Sequence, residues 1–189
     1  MSLDKKQIMS AAASIRGAYD AKAPIDALRN SYGMDIDDAY AVQEANTKHW
    51  LEQGRLLSGR KIGVTSHAVQ SQLGVDQPDF GMLFSDMSYA DSEEIPITNL
   101  LQPRIEGEIA FYLAKDLDNE NLTLAEVISA IDYAVAAIEV VDSRIADWNI
   151  QITDTIADNA SSGLYVLGSK PVKMGDFDHL NCGMVIEHR

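Results

Sequence analysis

The sequence predicts an α+β protein in which helices come first and strands follow. Residues 5–21 are rich in Ala, Ile and Met with charged residues interspersed, and Pro24 limits any extension of this helix. A second helix is expected over residues 36–53, with Asp35 as its N-cap and Gly54 as its end. After residue 56 the pattern changes to short apolar runs of strand length. These runs cover residues 59–65, 104–113, 135–141 and 164–167. We therefore expect a helical N-terminal region (residues 1–56) and a strand-rich domain (residues 57–189).

The segments between these elements carry their own local signals. Ser66 is expected to open a helical turn that ends at Gly74. Pro and Gly residues predict an ordered loop over residues 75–85, and loops of this kind often carry function. The pattern Thr123-Leu124-Ala125-Glu126 has the form of a capping box and predicts a helix through about residue 133.

Composition and charge exclude several classes of function. The 189 residues carry 15 basic and 29 acidic side chains, a formal net charge of −14, which disfavours nucleic acid and anionic membrane surfaces as partners. No stretch has the length and hydrophobicity of a membrane span or a signal peptide, so we expect a soluble cytoplasmic protein. Cys182 is the single cysteine, which excludes an intramolecular disulfide. The sequence contains no phosphate-binding loop, nucleotide-binding glycine motif or nucleophile elbow.

Two carboxylates interrupt the apolar run at residues 104–113. Alternate side chains share one face of a strand, so Glu106 and Glu108 lie on one face while Ile105, Ile109 and Phe111 lie on the other, in what otherwise has the pattern of a buried strand. Like charges roughly 6–7 Å apart repel and are costly to bury without a compensating cation or proton. A half-exposed antiparallel strand shows the same alternation, and this pair alone does not decide between the two interpretations.

A third carboxylate favours the metal interpretation. Glu139 stands in the middle of the aliphatic run at residues 135–141, and Glu is rarely buried without a compensating partner. Three oxygen ligands with no Cys or His among them suit a hard cation such as Mg²⁺ or Mn²⁺. The sequence therefore predicts that Glu106, Glu108 and Glu139 form one acidic or metal-binding cluster.

Several long motifs resemble the 2-hydroxypenta-2,4-dienoate hydratases of the fumarylacetoacetate hydrolase superfamily. They are residues 59–63 (GRKIG), 72–81 (QLGVDQPDFG), 102–110 (QPRIEGEIA), 139–145 (EVVDSRI) and 158–161 (DNAS). The resemblance runs along essentially the whole chain. It implies a helical region before a mixed β-roll, a divalent metal on Glu106, Glu108 and Glu139, and a homo-oligomeric enzyme acting on a 2-hydroxydienoate from the meta-cleavage of aromatic rings.

The resemblance also implies pocket residues that the patterns alone do not identify. Lys61 and Asp79 match polar residues that line the family's pocket and become the expected catalytic pair, and Ser161 matches a substrate-binding serine. Without the family, Lys61 would be interpreted as a surface lysine and Asp79 as a turn residue.

The chain also departs from the family pattern. Family members continue well beyond Arg189, and residues 184–186 have the pattern of a strand whose partners are absent, so we expect a C-terminally truncated chain with an incomplete roll. Three alternatives to the hydratase remain open: the related 2-oxo-3-hexenedioate decarboxylase, a carbon–carbon hydrolase of the same superfamily, and an inactive fragment. The hydrolase branch places an aspartate at the third ligand, where this chain has Glu139, and residues 77–81 resemble the hydratases rather than the decarboxylases.

Overall fold

A computed structural model describes residues 2–188, apart from the side chains of Gln72 and Leu73. The α-helices are α1 (Lys5–Ala21), α2 (Arg29–Tyr32), α3 (Ile36–Glu52), α4 (His67–Leu73), α5 (Leu124–Ala130) and α6 (Ile152–Ala157). The strands are β1 (Leu57–Gly63), β2 (Asp79–Phe84), β3 (Ser88–Tyr89), β4 (Pro103–Leu113), β5 (Ile131–Asp142) and β6 (Ser162–Leu167). Three helices come before the first strand, which confirms the predicted α+β class.

The helix ends follow the capping signals of the sequence. At α3 the Asp35 carboxylate accepts a hydrogen bond from the Asp38 backbone N–H at 2.9 Å, as its predicted N-cap role requires. Ser66 caps α4 in the same way, and Gly74 ends that helix in the left-handed region at φ 69°. None of the helices within residues 2–188 is both long enough and apolar enough to pass through a lipid bilayer.

The strands form two sheets. One contains β1 and β2, which pair antiparallel so that Lys61 faces Gly81 and Gly63 faces Asp79. The other has four strands in the order β3-β6-β5-β4. The structure confirms strands in the regions predicted at residues 104–113, 135–141 and 164–167, although each begins earlier than expected.

The chain divides into two compact units. Unit 1 contains Met1–Ser88, Ile95–Arg104 and Val140–Leu164, and four of its five boundaries fall inside β3, β4, β5 and β6. Its core lies between α1, α3 and α6, where Ile15, Val42 and Ile156 are almost completely buried. Small residues on α1 and α3 let these helices approach closely.

Unit 2 contains Tyr89–Glu94, Ile105–Glu139 and Tyr165–Arg189. It includes α5 and the greater part of β4 and β5. Its most deeply buried apolar residues are Ala130, Ala134 and Val135. Within this unit Tyr112 of β4 stacks on Tyr133 of β5 with ring centroids 4.6 Å apart.

The predicted loop at residues 75–85 is wrong over its second half, because β2 occupies Asp79–Phe84. Pro78 and Gly81 suggested a loop, yet the Pro precedes the first strand residue, where no ladder hydrogen bond is lost. A second error concerns β1, the strand that pairs with β2. The predicted strand at residues 59–65 ends at Gly63, because Val64 adopts φ 57° and leaves the extended region. The sequence patterns also missed α6.

The burial expected for the apolar face of β4 is also wrong. Ile105, Phe111 and Leu113 are 62%, 43% and 51% exposed. Alternation sorts side chains between two faces, but it does not tell which face is covered. The strand expected at residues 184–186 is absent from the described part of the chain, where this segment has no regular structure.

Candidate active site

The three glutamates singled out in the sequence come together in unit 2. Glu106 and Glu108 on β4 and Glu139 on β5 each offer one carboxylate oxygen, and these oxygens all lie within 4.8 Å of one another. Glu106 is exposed, Glu108 is half-buried and Glu139 is 7% exposed. The cluster joins two strands, so side chains 33 or 31 positions apart in sequence share one small volume.

The backbone of β4 explains why both of its glutamates reach the cluster. Residues two apart project from the same face of a strand, so Glu106 and Glu108 are neighbours while Gly107 points to the other face. A methyl group on Gly107 would lie 2.6 Å from the Met184 sulfur and 3.1 Å from Ile186, which therefore pack against the strand at this glycine. The absence of a side chain at residue 107 lets this segment approach the backbone that carries the two carboxylates.

The donor set fits a hard divalent cation. In an octahedral Mg²⁺ site with metal–oxygen distances of about 2.1 Å, neighbouring ligand oxygens are about 3 Å apart and opposite ones about 4.2 Å. Small rotations of the exposed Glu106 side chain would bring oxygens now within 4.8 Å into that range. Three carboxylates concentrate negative charge at one point, and Glu139 does so from a buried position, where a cation relieves both repulsion and desolvation.

In unit 1, Lys61 and Asp79 lie on one face of the antiparallel β1–β2 pair. Asp79 pairs with Gly63, and Lys61 precedes Gly63 by two residues, so the two side chains are diagonal neighbours. The Asp79 carboxylate lies directly over Gly63. A methyl group there would overlap the Asp79 Oδ1 atom and would lie 3.8 Å from the Lys61 Cε atom. Asp79 is only 1% exposed, so this carboxylate and the lysine stem share a space that a glycine leaves open.

The turn that follows α6 contacts Lys61 of this pair. Asn159, Ala160 and Ser161 all have φ between 50° and 57°, three successive non-glycine residues in the left-handed region. This conformation costs roughly 1–2 kcal/mol per residue and is rare outside functional segments. It aims the Ala160 carbonyl at Lys61, whose Nζ donates a hydrogen bond to it at 2.9 Å.

Ser161, the predicted substrate-binding serine, lies at the end of this left-handed turn. Ser161 is 3% exposed, and its hydroxyl has no hydrogen-bond partner within the part of the chain that the structure describes. A buried hydroxyl without a partner costs free energy, which a bound polar ligand would recover. The structure thus brings Lys61, Asp79 and the segment carrying Ser161 together.

Glycine is also required at residue 81, opposite Lys61. A methyl group on Gly81 would lie 2.6 Å from the Asn159 carbonyl oxygen and 2.9 Å from the Ser162 Oγ atom. The left-handed turn therefore rests against the β2 backbone. Tyr40 of α3 adjoins the same strand: burial raises the pKa of its hydroxyl, and the nearby Asp79 charge raises it further.

Sequence reasoning missed several residues that shape this region. Gly63 and Gly81 were not singled out, although their roles follow from close approaches that only the fold creates. Tyr40 was not among the predicted site residues either. The signal that could have identified the left-handed turn is the run of small polar residues at 158–162, which also suits an ordinary loop. The catalytic, substrate-binding and metal-binding roles assigned to the six predicted residues stay predictions.

Comparison with known proteins gives relatives of high similarity. The chain is 59% identical over 163 residues to a TodF product hydratase of Pseudomonas putida F1, covering 86% of this chain and 61% of that protein. It is 52% identical over 185 residues to a 2-keto-4-pentenoate hydratase of Paraburkholderia xenovorans LB400, covering 97% of this chain and 69% of the relative. The chain thus spans about three fifths to two thirds of the length of these relatives. No protein-family model matches it.

The fold of this chain is also similar to that of solved structures. The 4-oxalocrotonate decarboxylase of Pseudomonas putida G7, complexed with magnesium and adipate, superposes with a TM-score of 0.89 at 31% identity. The match covers 94% of this chain and 68% of the decarboxylase chain. The same decarboxylase complexed with calcium and acetate gives a TM-score of 0.87.

Proposed function

Because the chain belongs to the 2-keto-4-pentenoate hydratase family, we propose that it adds water to 2-hydroxypenta-2,4-dienoate and forms 4-hydroxy-2-oxopentanoate. The observation that carries this proposal is the cluster of Glu106, Glu108 and Glu139, whose oxygens lie within 4.8 Å of one another. Such a cluster suits a substrate that has a carboxylate and an adjacent enol oxygen, because both groups bind a hard cation well.

The proposal assigns the metal to these three glutamates. Mg²⁺ or Mn²⁺ is the expected ion, because the donor set contains only oxygen. When bound, the cation would act as a Lewis acid, which favours the enolate form of the substrate. The glutamates would hold it from two neighbouring strands, and three ligands would leave coordination positions for water and substrate.

The proposal assigns proton transfer and charge stabilisation to Lys61 and Asp79. The enol hydroxyl loses its proton and a proton is delivered to the terminal carbon of the dienoate, which gives a conjugated 2-oxo-3-enoate. One water molecule then adds, with its hydroxyl group on carbon 4 and its hydrogen on carbon 3. Asp79 is a candidate for moving a proton because its carboxylate is almost completely buried beside the Lys61 stem. The Lys61 ammonium, held by the Ala160 carbonyl, is a fixed positive charge for a developing anion. The Ser161 hydroxyl would bind the substrate.

The decarboxylase is the second candidate, and the similarity to the 4-oxalocrotonate decarboxylase structure supports it. It would share the cation and the enolate and would lose carbon dioxide instead of adding water. The sequence identity favours the hydratase, since the two hydratases compared above are 59% and 52% identical to this chain and the decarboxylase is 31% identical.

We also propose the family's β-roll for the strand-rich region, residues 57–189, following the helical residues 1–56, and a cytoplasmic homo-oligomer as the assembled state. The TM-score of 0.89 to a related enzyme supports the roll. Multi-angle light scattering of the purified protein tests the assembly, and a monomer at micromolar concentration would refute that part of the proposal.

The reaction is tested on the protein encoded by the whole gene, with both substrates and with Mg²⁺ or Mn²⁺. We expect loss of the dienol absorbance with the pentadienoate and little carbon dioxide from 2-oxo-3-hexenedioate. Lys61→Ala and Asp79→Ala should lower kcat far more than they lower metal affinity, and the pH profiles of the two variants should separate proton transfer from charge stabilisation. Carbon dioxide release from the hexenedioate with no turnover of the pentadienoate would establish the decarboxylase instead.

Metal binding is tested separately by calorimetry and thermal unfolding. A ligand that binds only the native state stabilises it, by about 2.7 kcal/mol at a free concentration of 100 Kd. Mg²⁺ should therefore raise the melting temperature of the wild type and of Glu120→Gln, an exposed control in the same unit, but not of Glu139→Gln. Equal melting temperatures of the wild type in EDTA and in excess Mg²⁺ would contradict the metal site.

A further inference from the structure

The outer edge of β2 has an unusual arrangement of hydrogen-bonding groups. In an antiparallel pair, successive residues direct their backbone N–H and C=O groups to opposite edges. Because β2 pairs with β1 along one edge, Phe80 and Met82 direct theirs to the other. The two-stranded sheet offers no third strand at that edge within residues 2–188.

Side chains take the place of the missing strand. The Asn159 side chain accepts a hydrogen bond from the Met82 N–H at 2.7 Å and donates one to the Met82 carbonyl at 2.9 Å. The Gln43 Nε2 group donates to the Phe80 carbonyl at 2.8 Å. Three backbone groups of β2 are thus satisfied by two side chains, one of them from α3.

These side chains also connect β2 to the left-handed turn. Gln43 donates a second hydrogen bond from Nε2 to the Ile156 carbonyl of α6 at 2.9 Å, and Asn159 is itself the first residue of the turn. Gln43 and Asn159 are each 3% exposed, so water does not compete for these bonds. A movement of β2 relative to the turn would break at least three of them.

The bonds fix the two groups to which we assign catalysis. Asp79 adjoins Phe80, and the Lys61 ammonium is held by the Ala160 carbonyl, one residue after Asn159. We propose that Gln43 and Asn159 are positioning residues that hold Asp79 and Lys61 in register through the backbone of Phe80 and Met82. The catalytic part of this inference rests on the proposed function. The structural part does not, and it can be measured separately.

Asn159→Gly is the main test variant. Glycine adopts a positive φ without strain, so the turn is retained while both bonds to Met82 are lost. Because misplacement of reacting groups by about 1 Å can cost 10²-fold, we expect kcat to fall at least 10-fold while KM and metal affinity change less than threefold. Gln43→Met, which keeps a side chain of similar length on α3 but removes the amide, should give the same pattern. Asn30→Gly, at an exposed position of the same unit, is the control.

A double-mutant cycle with Lys61→Ala distinguishes positioning from general destabilisation. If Asn159 acts through Lys61, the loss from Asn159→Gly should be several-fold smaller in the Lys61→Ala background. If the two substitutions instead lower kcat by factors that multiply, Asn159 acts independently of Lys61. That result would overturn the proposal that Asn159 positions the lysine.

A chemical readout tests the positioning without any catalytic assay. The acetylation rate of Lys61 by acetic anhydride, followed by mass spectrometry relative to the exposed Lys48, should rise several-fold in Asn159→Gly and in Gln43→Met, but not in Asn30→Gly. If the wild type lacks hydratase activity, the proposed function fails while this measurement still decides the positioning role. Unchanged Lys61 reactivity in both folded variants would refute it.

Discussion

Removal of the Asp158 carboxylate should destabilise unit 1 severely. Arg144 is 1% exposed and Asp158 is completely buried, and the Arg144 Nε group donates to Asp158 Oδ1 at 2.5 Å. The Arg144 backbone N–H donates to Asp158 Oδ2 at 3.0 Å. Burial acts to lower the pKa of Arg144, but the Asp158 charge overrides it and raises that pKa, so the guanidinium stays charged.

The expected loss of folding free energy follows from the charge partners that Arg144 keeps in Asp158→Asn. Among the described residues of unit 1, the carboxylate of Asp142, 4.0 Å from Arg144 Nη1, is then the only ion-pair partner that the buried guanidinium keeps. Breaking a buried pair by removal of one partner costs about 3–5 kcal/mol. Since domains are stable by only about 5–15 kcal/mol, the variant would lose a large part of its stability.

Equilibrium urea unfolding followed by tryptophan fluorescence measures this loss, because Trp50 and Trp148 both lie in unit 1. The double variant Arg144→Met with Asp158→Leu should be more stable than the sum of the single losses predicts, since neither member of the pair is left buried without the other. A loss below about 1 kcal/mol for Asp158→Asn at an unchanged m-value would refute the reasoning.

Three further predictions concern groups in the same unit. Burial raises the pKa of Tyr19 from 10.0 to about 12, so its neutral form stabilises the fold below pH 10 and that contribution is lost as the pH rises to 12. Urea unfolding should show that the wild type loses roughly 2–3 kcal/mol more than Tyr19→Phe between pH 9 and 12. Gly163→Ala should cost about 1–3 kcal/mol or more, because its methyl group would overlap a backbone carbonyl, whereas Gly59→Ala meets no atom within 4 Å and should be close to neutral by the same measurement. Gly63→Ala should displace the Asp79 carboxylate and lower kcat at least 10-fold with unchanged metal affinity; wild-type turnover in this variant would remove Asp79 from the mechanism.

Local signals in the sequence predicted the helices that have their own caps. Asp35, Ser66 and Thr123 all accept the hydrogen bonds expected of N-cap residues, because capping depends on atoms within four positions of one another. The cluster of glutamates was predictable for a related reason. A carboxylate inside an apolar strand conflicts with its surroundings, and that conflict is visible without knowledge of the fold.

The strand β2 could not be predicted in this way. Its second edge is satisfied by Gln43 and Asn159, which are 37 and 77 positions from their partners in the strand. No window of local sequence contains that pairing. The prediction that the apolar face of β4 is buried was wrong for a different reason. Periodicity shows that a strand has two faces but not which of them is covered.

The buried Arg144–Asp158 ion pair is connected to Lys61 through the left-handed turn, because the Ala160 carbonyl of that turn accepts the hydrogen bond from Lys61. The left-handed turn at Asn159, Ala160 and Ser161 carries roughly 3–6 kcal/mol of conformational cost if each residue contributes 1–2. It persists only because its surroundings hold it at both ends. Arg144 Nη2 donates to the Asp158 carbonyl at 3.0 Å immediately before the turn, and the Ser162 hydroxyl donates to the Asn159 carbonyl at 2.6 Å. Loss of the pair should therefore relax the turn that presents the Ala160 carbonyl to Lys61. If the sites are coupled in this way, any Asp158→Asn protein that remains folded should also show faster acetylation of Lys61.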